Sequence, residues 1–249
     1  MSIAIACKDI QFPSIAAIIF DKDGTLEDSQ AFWHQLGIKR VSLIETRISG
    51  IKESLLRVFG IDNNTFNSTG LMAVGSSEEN LIAAAAYIAE TGISWSEAKH
   101  IARDAFAEAA RYLSKTPESA PLFPETRETI ISLANAGLKL GIISADSTPG
   151  VESFVVDHHL EEYIQLTMGT DRGIYKPDPR LFIEACQILN VKPSETLMVG
   201  DSQVDIDMAV SAGAAATIGI CRNSNTIPVA SADIILTDLS EIEILNPQT

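Results

Sequence analysis

The strongest constraint on this 249-residue chain is a set of five short apolar runs, each followed by turn residues or a helix-length segment. They are AAIIF at 16–20, LKLGII at 138–143, TLMV at 196–199, AATIGI at 215–220 and ADIILT at 232–237. None shows the polar alternation of a half-exposed strand. Runs of this kind, spaced by helix-sized sequence, predict an α/β fold built on a Rossmann-like parallel sheet buried on both faces. In such sheets ligands bind beyond the carboxyl ends of the strands. Three of the runs lead directly into polar groups there: Asp21, Ser144 and Gly200-Asp201.

Residues 28–116 have a different pattern. Ser76-Ser77-Glu78-Glu79 and Ser94-Trp95-Ser96-Glu97 each have the Ser-x-x-Glu form that caps a helix start. After the second, Ile101, Ala105, Phe106, Ala109, Tyr112 and Leu113 recur on one helical face, and no period-2 strand is evident. The segment therefore reads as an all-helical insert, 28–116, in a core formed by 1–27 and 117–249. Pro117, Pro121 and Pro124 mark the return to that core.

Charge narrows the function classes. The formal net charge is −15, with 18 Lys+Arg against 33 Asp+Glu. This disfavours nucleic-acid backbones and anionic membranes as partners. The insert carries a net −1 and the remainder −14, so the excess lies in the sheet-forming part. The three cysteines, Cys7, Cys186 and Cys221, are isolated and odd in number, which argues against a disulfide framework or a cysteine zinc site. The N-terminus has no basic leader and its apolar stretch is broken by Lys8 and Asp9, so a soluble cytoplasmic protein is expected.

The segment Asp21-Lys22-Asp23-Gly24-Thr25-Leu26 carries the chemistry. In extended chain, residues i and i+2 face the same side, which brings Asp21 and Asp23 into one crevice. Gly24 permits a turn or close backbone approach that a Cβ would block. Two carboxylates 4 Å apart repel by about 4 kcal/mol at an effective dielectric near 20, so a cation or shared proton is needed. Ser144 offers a hydroxyl to an anion, Lys176 a compact positive charge on a proline-bounded loop, and Gly200-Asp201-Ser202-Gln203-Val204-Asp205 further carboxylates. Such a donor set, with a phosphate, suits Mg²⁺.

The ordered set of DKDGTL at 21–26, Ser144, Lys176 in YKPDP and GDSQVD at 200–205 resembles the haloacid dehalogenase superfamily. It is most similar to the branch of phosphatases and phosphomutases with an inserted helical cap. The resemblance implies a Mg²⁺-dependent phosphatase acting on a small phosphorylated metabolite, with the insert as a mobile cap. Asp21 would be the nucleophile, already ionised at neutral pH, and Asp23 the acid and base. Gly24, Thr25, Ser144, Ala145 and Lys176 would hold the phosphate, with Thr25 also bonding within its turn. Asp21, Asp201 and Asp205, with the carbonyl of Asp23, would hold or orient the metal. A second aspartate favours phosphate esters over halide release. A sugar phosphomutase with the same nucleophile is the close alternative; a non-catalytic phosphate- or Mg²⁺-binding regulator is the alternative from another class.

Lys22 departs from the branch, which commonly has an apolar residue there. By alternation its side chain points away from the aspartate pair, with its stem packed and its ammonium in water. Asp28 and Ser29 fall at the entry to the insert, and Asp207 on a helix surface. His34, His100, His158 and His159 lack a catalytic or ligand pattern. Lys39, Arg40, Arg47 and Lys52 are read first as surface charges and second as substrate contacts; the polar loop 63–77 is another candidate contact region.

Overall fold

The structure is a computed structural model that describes residues 2–62, 65–67, 69–171, 173–222 and 229–245. Asn63, Asn64 and Ser68 of the polar loop therefore lie outside the described residues. The chain divides into two compact units, Met1–Asp28 with Pro121–Thr249, and Ser29–Ala120.

The first unit opens with β1 (Ile3–Cys7), β2 (Ile10–Ile15) and β3 (Ala17–Phe20). The inserted unit supplies α1 (Gln30–Glu45), α2 (Lys52–Phe59), α3 (Leu71–Val74), α4 (Ser77–Glu90) and α5 (Trp95–Tyr112). The first unit then resumes with α6 (Thr126–Asn135), β4 (Lys139–Ile143), α7 (Thr148–Asp157), β5 (Leu166–Met168) and α8 (Pro179–Leu189). It ends with β6 (Thr196–Gly200), α9 (Gln203–Ala212), β7 (Ala216–Ile220), β8 (Ile234–Leu236) and β9 (Ile242–Leu245).

Six strands form one parallel sheet in the order β5-β4-β3-β6-β7-β8. The connection runs outward from β3 through β4 to β5, then returns to β6 on the other side. The reversal lies at β3, where an open α/β sheet leaves a crevice. Register fixes the level of the strand ends: Phe20 pairs with Ile142 of β4 and Val199 of β6. Asp21, Ser144 and Asp201 consequently emerge near one level.

Alternate residues feed separate cores on the two sheet faces. Ile18, Phe20, Leu140, Ile142, Leu197 and Val199 pack on one face. Ala17, Ile19, Ile143 and Met198 pack against residues of α8 and α9 on the other. Burial on both faces explains why these strands read as continuous apolar runs.

A second, antiparallel sheet of order β2-β1-β9 has no counterpart in the sequence reading. It pairs the N-terminal residues with the C-terminal strand, and Ile5, Cys7 and Ile242 join the first of the two cores. The three-residue β5 was likewise not expected.

The inserted unit has a core of its own, including Val41, Leu55, Phe59, Leu81, Ile88, Ala102 and Phe106. Ser76 and Glu79 form the reciprocal capping box that starts α4, and Ser94 accepts from the Glu97 amide at 3.4 Å to start α5. Arg40 is not a surface charge: it is buried, with its guanidinium carbon 4.1 Å from the Phe106 ring centre. Arg47 pairs with Asp104 at 3.6 Å and Glu108 at 3.2 Å.

Candidate active site

Asp21 is the first residue after β3, and its amide donates to Val199 O at 2.8 Å, which locks it to the end of β6. Its side chain is buried, with Oδ1 2.6 Å from Lys176 Nζ. The same ammonium lies 2.6 Å from Asp205 Oδ1, so one cation bridges a carboxylate just after β3 and one in α9. Asp178, two residues beyond Lys176, caps α8 by accepting from the Arg180 amide at 3.0 Å, which anchors the lysine loop.

Asp205 is fully buried for a structural reason as well. It occupies the third position of α9, where Oδ2 accepts from Ser202 Oγ at 2.5 Å and from the Ser202 amide at 3.3 Å. This capping box fixes one oxygen and leaves the other facing Lys176. Asp201, at the start of the same turn, lies against Gly24. Carboxylate oxygens of Asp21, Asp201 and Asp205 all fall within 4.8 Å of one another.

Three clustered carboxylates, Asp21 and Asp205 buried and Asp201 half-buried, with one lysine bridging the first two, are electrostatically frustrated. Burial pushes the Asp21 carboxyl up to about 7; Lys176 opposes this, while Asp205 and Asp23 add to it. Asp201 is also held well above the usual carboxylate range, by burial and by the charges of Asp21 and Asp205. Burial disfavours the Lys176 charge, but Asp205 and Asp21 more than offset this and raise its pKa. Without a cation, Asp21 therefore sits above the ordinary aspartate value. A hard divalent cation between these oxygens would reverse the frustration, and an all-carboxylate donor set suits Mg²⁺. The residues fit that ion. The side chain of Asp23 is not one of the three.

The loop after Asp21 curls tightly rather than continuing as strand. The amides of Leu26 and Glu27 both donate to the carbonyl of Lys22, at 2.9 and 3.2 Å. Gly24 has φ +82, and a Cβ on it would lie 2.1 Å from Asp201 Oδ2. Thr25 is fully buried, yet its hydroxyl has no hydrogen-bond partner among the described residues. Among the described residues it does not bond within the turn as expected, and an unsatisfied buried hydroxyl is a donor available to a ligand oxygen.

Ser144 is buried at the end of β4; its amide donates to Met168 O at 3.0 Å and its Oγ accepts from the Asp146 amide at 3.1 Å. Ala145 follows, its carbonyl accepting from Thr170 Oγ1 at 3.3 Å. Asp207 is exposed, as expected.

Lys22 contradicts the sequence reading most clearly. It is 0% exposed, and its ammonium lies 2.6 Å from Asp23 Oδ2, 2.9 Å from Glu27 Oε1 and 3.4 Å from Asp146 Oδ2. The alternation argument fails because the chain bends at Lys22 instead of remaining extended. Burial disfavours its charge, but the three carboxylates hold its pKa well above the usual lysine value. Glu27 and Asp146 were missed as members of the site. A lysine at the mouth of a buried strand requires counter-charges, and Glu27 on the same turn was the visible one.

Arg222 was also missed. Its Nη2 donates to Thr25 O at 2.7 Å, its Nη1 to Glu125 Oε1 at 2.6 Å, and its guanidinium lies 3.5 Å from the Phe123 ring centre. It anchors the back of the Gly24-Thr25 turn.

A carboxylate at a strand end, a lysine beside it and an acidic cluster at the crevice define a class. A match to the haloacid dehalogenase-like hydrolase family spans residues 15–213, and the chain belongs to that family. A phosphoglycolate phosphatase of Yersinia pestis is 26% identical, over 94% of each chain. One of Photorhabdus laumondii is 27% identical, over 92% of this chain and 91% of the relative. Among solved structures, a predicted phosphoglycolate phosphatase from Haemophilus somnus superposes with a TM-score of 0.68 at 24% identity, covering 91% of this chain and 96% of the other. A phosphatase of the same superfamily from Thermococcus onnurineus gives 0.61 at 20% identity, covering 91% and 95%. Those two structural likenesses establish the fold. The family and the full-length relatives make this chain an enzyme, a phosphoric monoester hydrolase. Among its described residues, no helix is long and apolar enough to cross a membrane.

Proposed function

We propose that this enzyme is a Mg²⁺-dependent phosphatase of small phosphate monoesters that works through an aspartyl-phosphate on Asp21. The observation that carries the proposal is the Lys176 ammonium held 2.6 Å from both Asp21 and Asp205, two of the three carboxylates in a cluster that Asp201 completes. A solvated acidic turn has no need of a buried lysine aimed at its first aspartate.

Asp21, Asp201 and Asp205 would hold the metal, with the carbonyl of Asp23 as a further oxygen donor. Bound there, Mg²⁺ supplies positive charge that keeps Asp21 ionised and offsets the charge of the phosphate. Asp21 attacks phosphorus and the ester P–O bond breaks. The leaving alkoxide takes a proton from Asp23. Water then attacks the phosphorus of the aspartyl-phosphate, gives a proton back to Asp23, and restores Asp21 with release of phosphate. Lys176 neutralises the approach of one anion to another, while Thr25 and Ser144 offer hydroxyls to the phosphoryl oxygens. Catalysis of this kind rests on positioning and charge stabilisation.

The names of the two full-length relatives make phosphoglycolate the first substrate to test. The experiment measures phosphate release from phosphoglycolate, a set of sugar phosphates and an aryl phosphate, with and without Mg²⁺. Wild type is expected to turn over at least one of them only with the metal, and Asp21→Asn to turn over none. Isomerised sugar phosphate without free phosphate would move the assignment to a phosphomutase. No metal-dependent reaction on any substrate would favour a binding protein on the same fold.

A further inference from the structure

Lys22 has no part in the scheme above, yet it is among the largest fully buried side chains in the protein. An ammonium is costly to bury unless partners surround it. Here Asp23 Oδ2 at 2.6 Å, Glu27 Oε1 at 2.9 Å and Asp146 Oδ2 at 3.4 Å do so. Asp21 already has its own cation in Lys176. Lys22 instead grips the second aspartate of the pair, at a position where an apolar residue would satisfy the core without holding Asp23 at all.

The cage also spans two loops. Asp23 and Glu27 belong to the turn after β3, whereas Asp146 follows β4. Asp146 is itself fixed: its Oδ1 accepts from the Ser147 amide at 2.7 Å and its own amide donates to Ser144 Oγ at 3.1 Å. Lys22 therefore connects the Asp23 carboxylate to the segment that presents Ser144. The double acceptance by the Lys22 carbonyl, from the Leu26 and Glu27 amides, closes the turn around the same side chain.

We propose that Lys22 is a positioning residue that holds the Asp23 side chain through Oδ2, so that its other oxygen carries the proton for the leaving oxygen, and keeps it in register with the Ser144 loop. This rests on the reading of Asp23 as proton donor. The role differs from charge neutralisation of the nucleophile and from core filling, and it makes a distinct kinetic demand. Loss of Lys22 should impair substrates in proportion to their need for a proton on the leaving oxygen.

The test compares kcat/KM for an alkyl phosphate with that for p-nitrophenyl phosphate, whose phenolate departs unprotonated. This parameter covers steps only through departure of the leaving group, so the later use of Asp23 as base does not enter. Lys22→Met is expected to lose about 100-fold on the alkyl ester, within the usual span of general-acid contributions, and less than about fivefold on the aryl ester. Asp23→Asn should show the same split, and adding Lys22→Met to it should change the split no further. If Lys22→Met does not fold, Lys22→Met with Glu27→Gln, which removes one stranded carboxylate, carries the comparison. Equal losses on both esters, or no loss on either, would overturn the positioning role while Asp23→Asn still splits them. Absence of a split in Asp23→Asn would overturn the reading of Asp23, and the role of Lys22 with it.

Discussion

Gly24 and Asp201 approach so closely that a Cβ on the glycine would lie 2.1 Å from the carboxylate oxygen Oδ2. The backbone there is left-handed, at φ +82. The turn that follows Asp21 and the carboxylate that follows β6 are thus fitted to one another through the absence of a side chain. Gly24→Ala must either displace Asp201 or distort the turn, at a cost of about 1–3 kcal/mol. Turnover should fall at least 100-fold and Mg²⁺ affinity should weaken, as read by steady-state kinetics and calorimetric titration. Wild-type affinity in the variant would show that the fit is not needed by the metal site.

Asp21→Asn separates activity from stability. In the proposed mechanism it removes the attacking oxygen anion, so turnover should fall by more than about 1000-fold. Above about pH 7, where Asp21 is ionised, it also removes one charge from the cluster of Asp21, Asp201 and Asp205, so there the metal-free variant should melt higher than metal-free wild type. For a chain of this size each kcal/mol corresponds to about 2–4 °C. A lower melting temperature for the variant would contradict the electrostatic account of the cluster.

The sign of the pH dependence follows from Asp21. Its folded value is pushed up to about 7, whereas an unfolded aspartate ionises near pH ~3.9. Between those values the folded metal-free protein holds more protons, so this contribution to stability is full below about pH 4 and lost as pH rises through about 7. Metal binding needs the ionised carboxylates and releases protons. The rise in melting temperature on adding saturating Mg²⁺ should therefore be larger at about pH 8 than at about pH 5.5. Scanning calorimetry at the two pH values checks it, and a larger rise at the acid pH would contradict it.

Arg222 acts on the turn from behind, through Thr25 O and the Glu125 carboxylate. Arg222→Met should leave Glu125 without its cation and the turn without its anchor. We expect about a tenfold drop in kcat/KM and a loss of about 1–3 kcal/mol of stability, the ion pair being mostly but not wholly buried. Kinetics and denaturant titration of the one variant give both numbers.

These residues were unequally legible in the sequence. The strands ending at Phe20, Ile143 and Gly200 announce themselves because both faces are buried and no polar alternation interrupts them. Their polar successors, Asp21, Ser144 and Asp201, follow directly. The β1-β2 hairpin was hidden because β2 is mostly exposed, includes Pro13, and joins β1 through Lys8-Asp9 rather than a glycine turn, although Lys8 has φ +52. Its partner β9 lies more than 200 positions away. Lys22 was misread because side-chain alternation holds only while the chain stays extended, and the bend begins at that residue. The raised value of Asp21 depends on burial and on Asp205, 184 positions distant in sequence, which no local pattern encodes.

The central claim is a double displacement through Asp21. The most direct test is the stereochemical course at phosphorus, using an isotopically chiral phosphorothioate ester hydrolysed in isotopically labelled water. Two in-line displacements, first by Asp21 and then by water, each invert the centre, so the account predicts net retention. Net inversion would mean a single direct attack by water, and would contradict the aspartyl-phosphate mechanism.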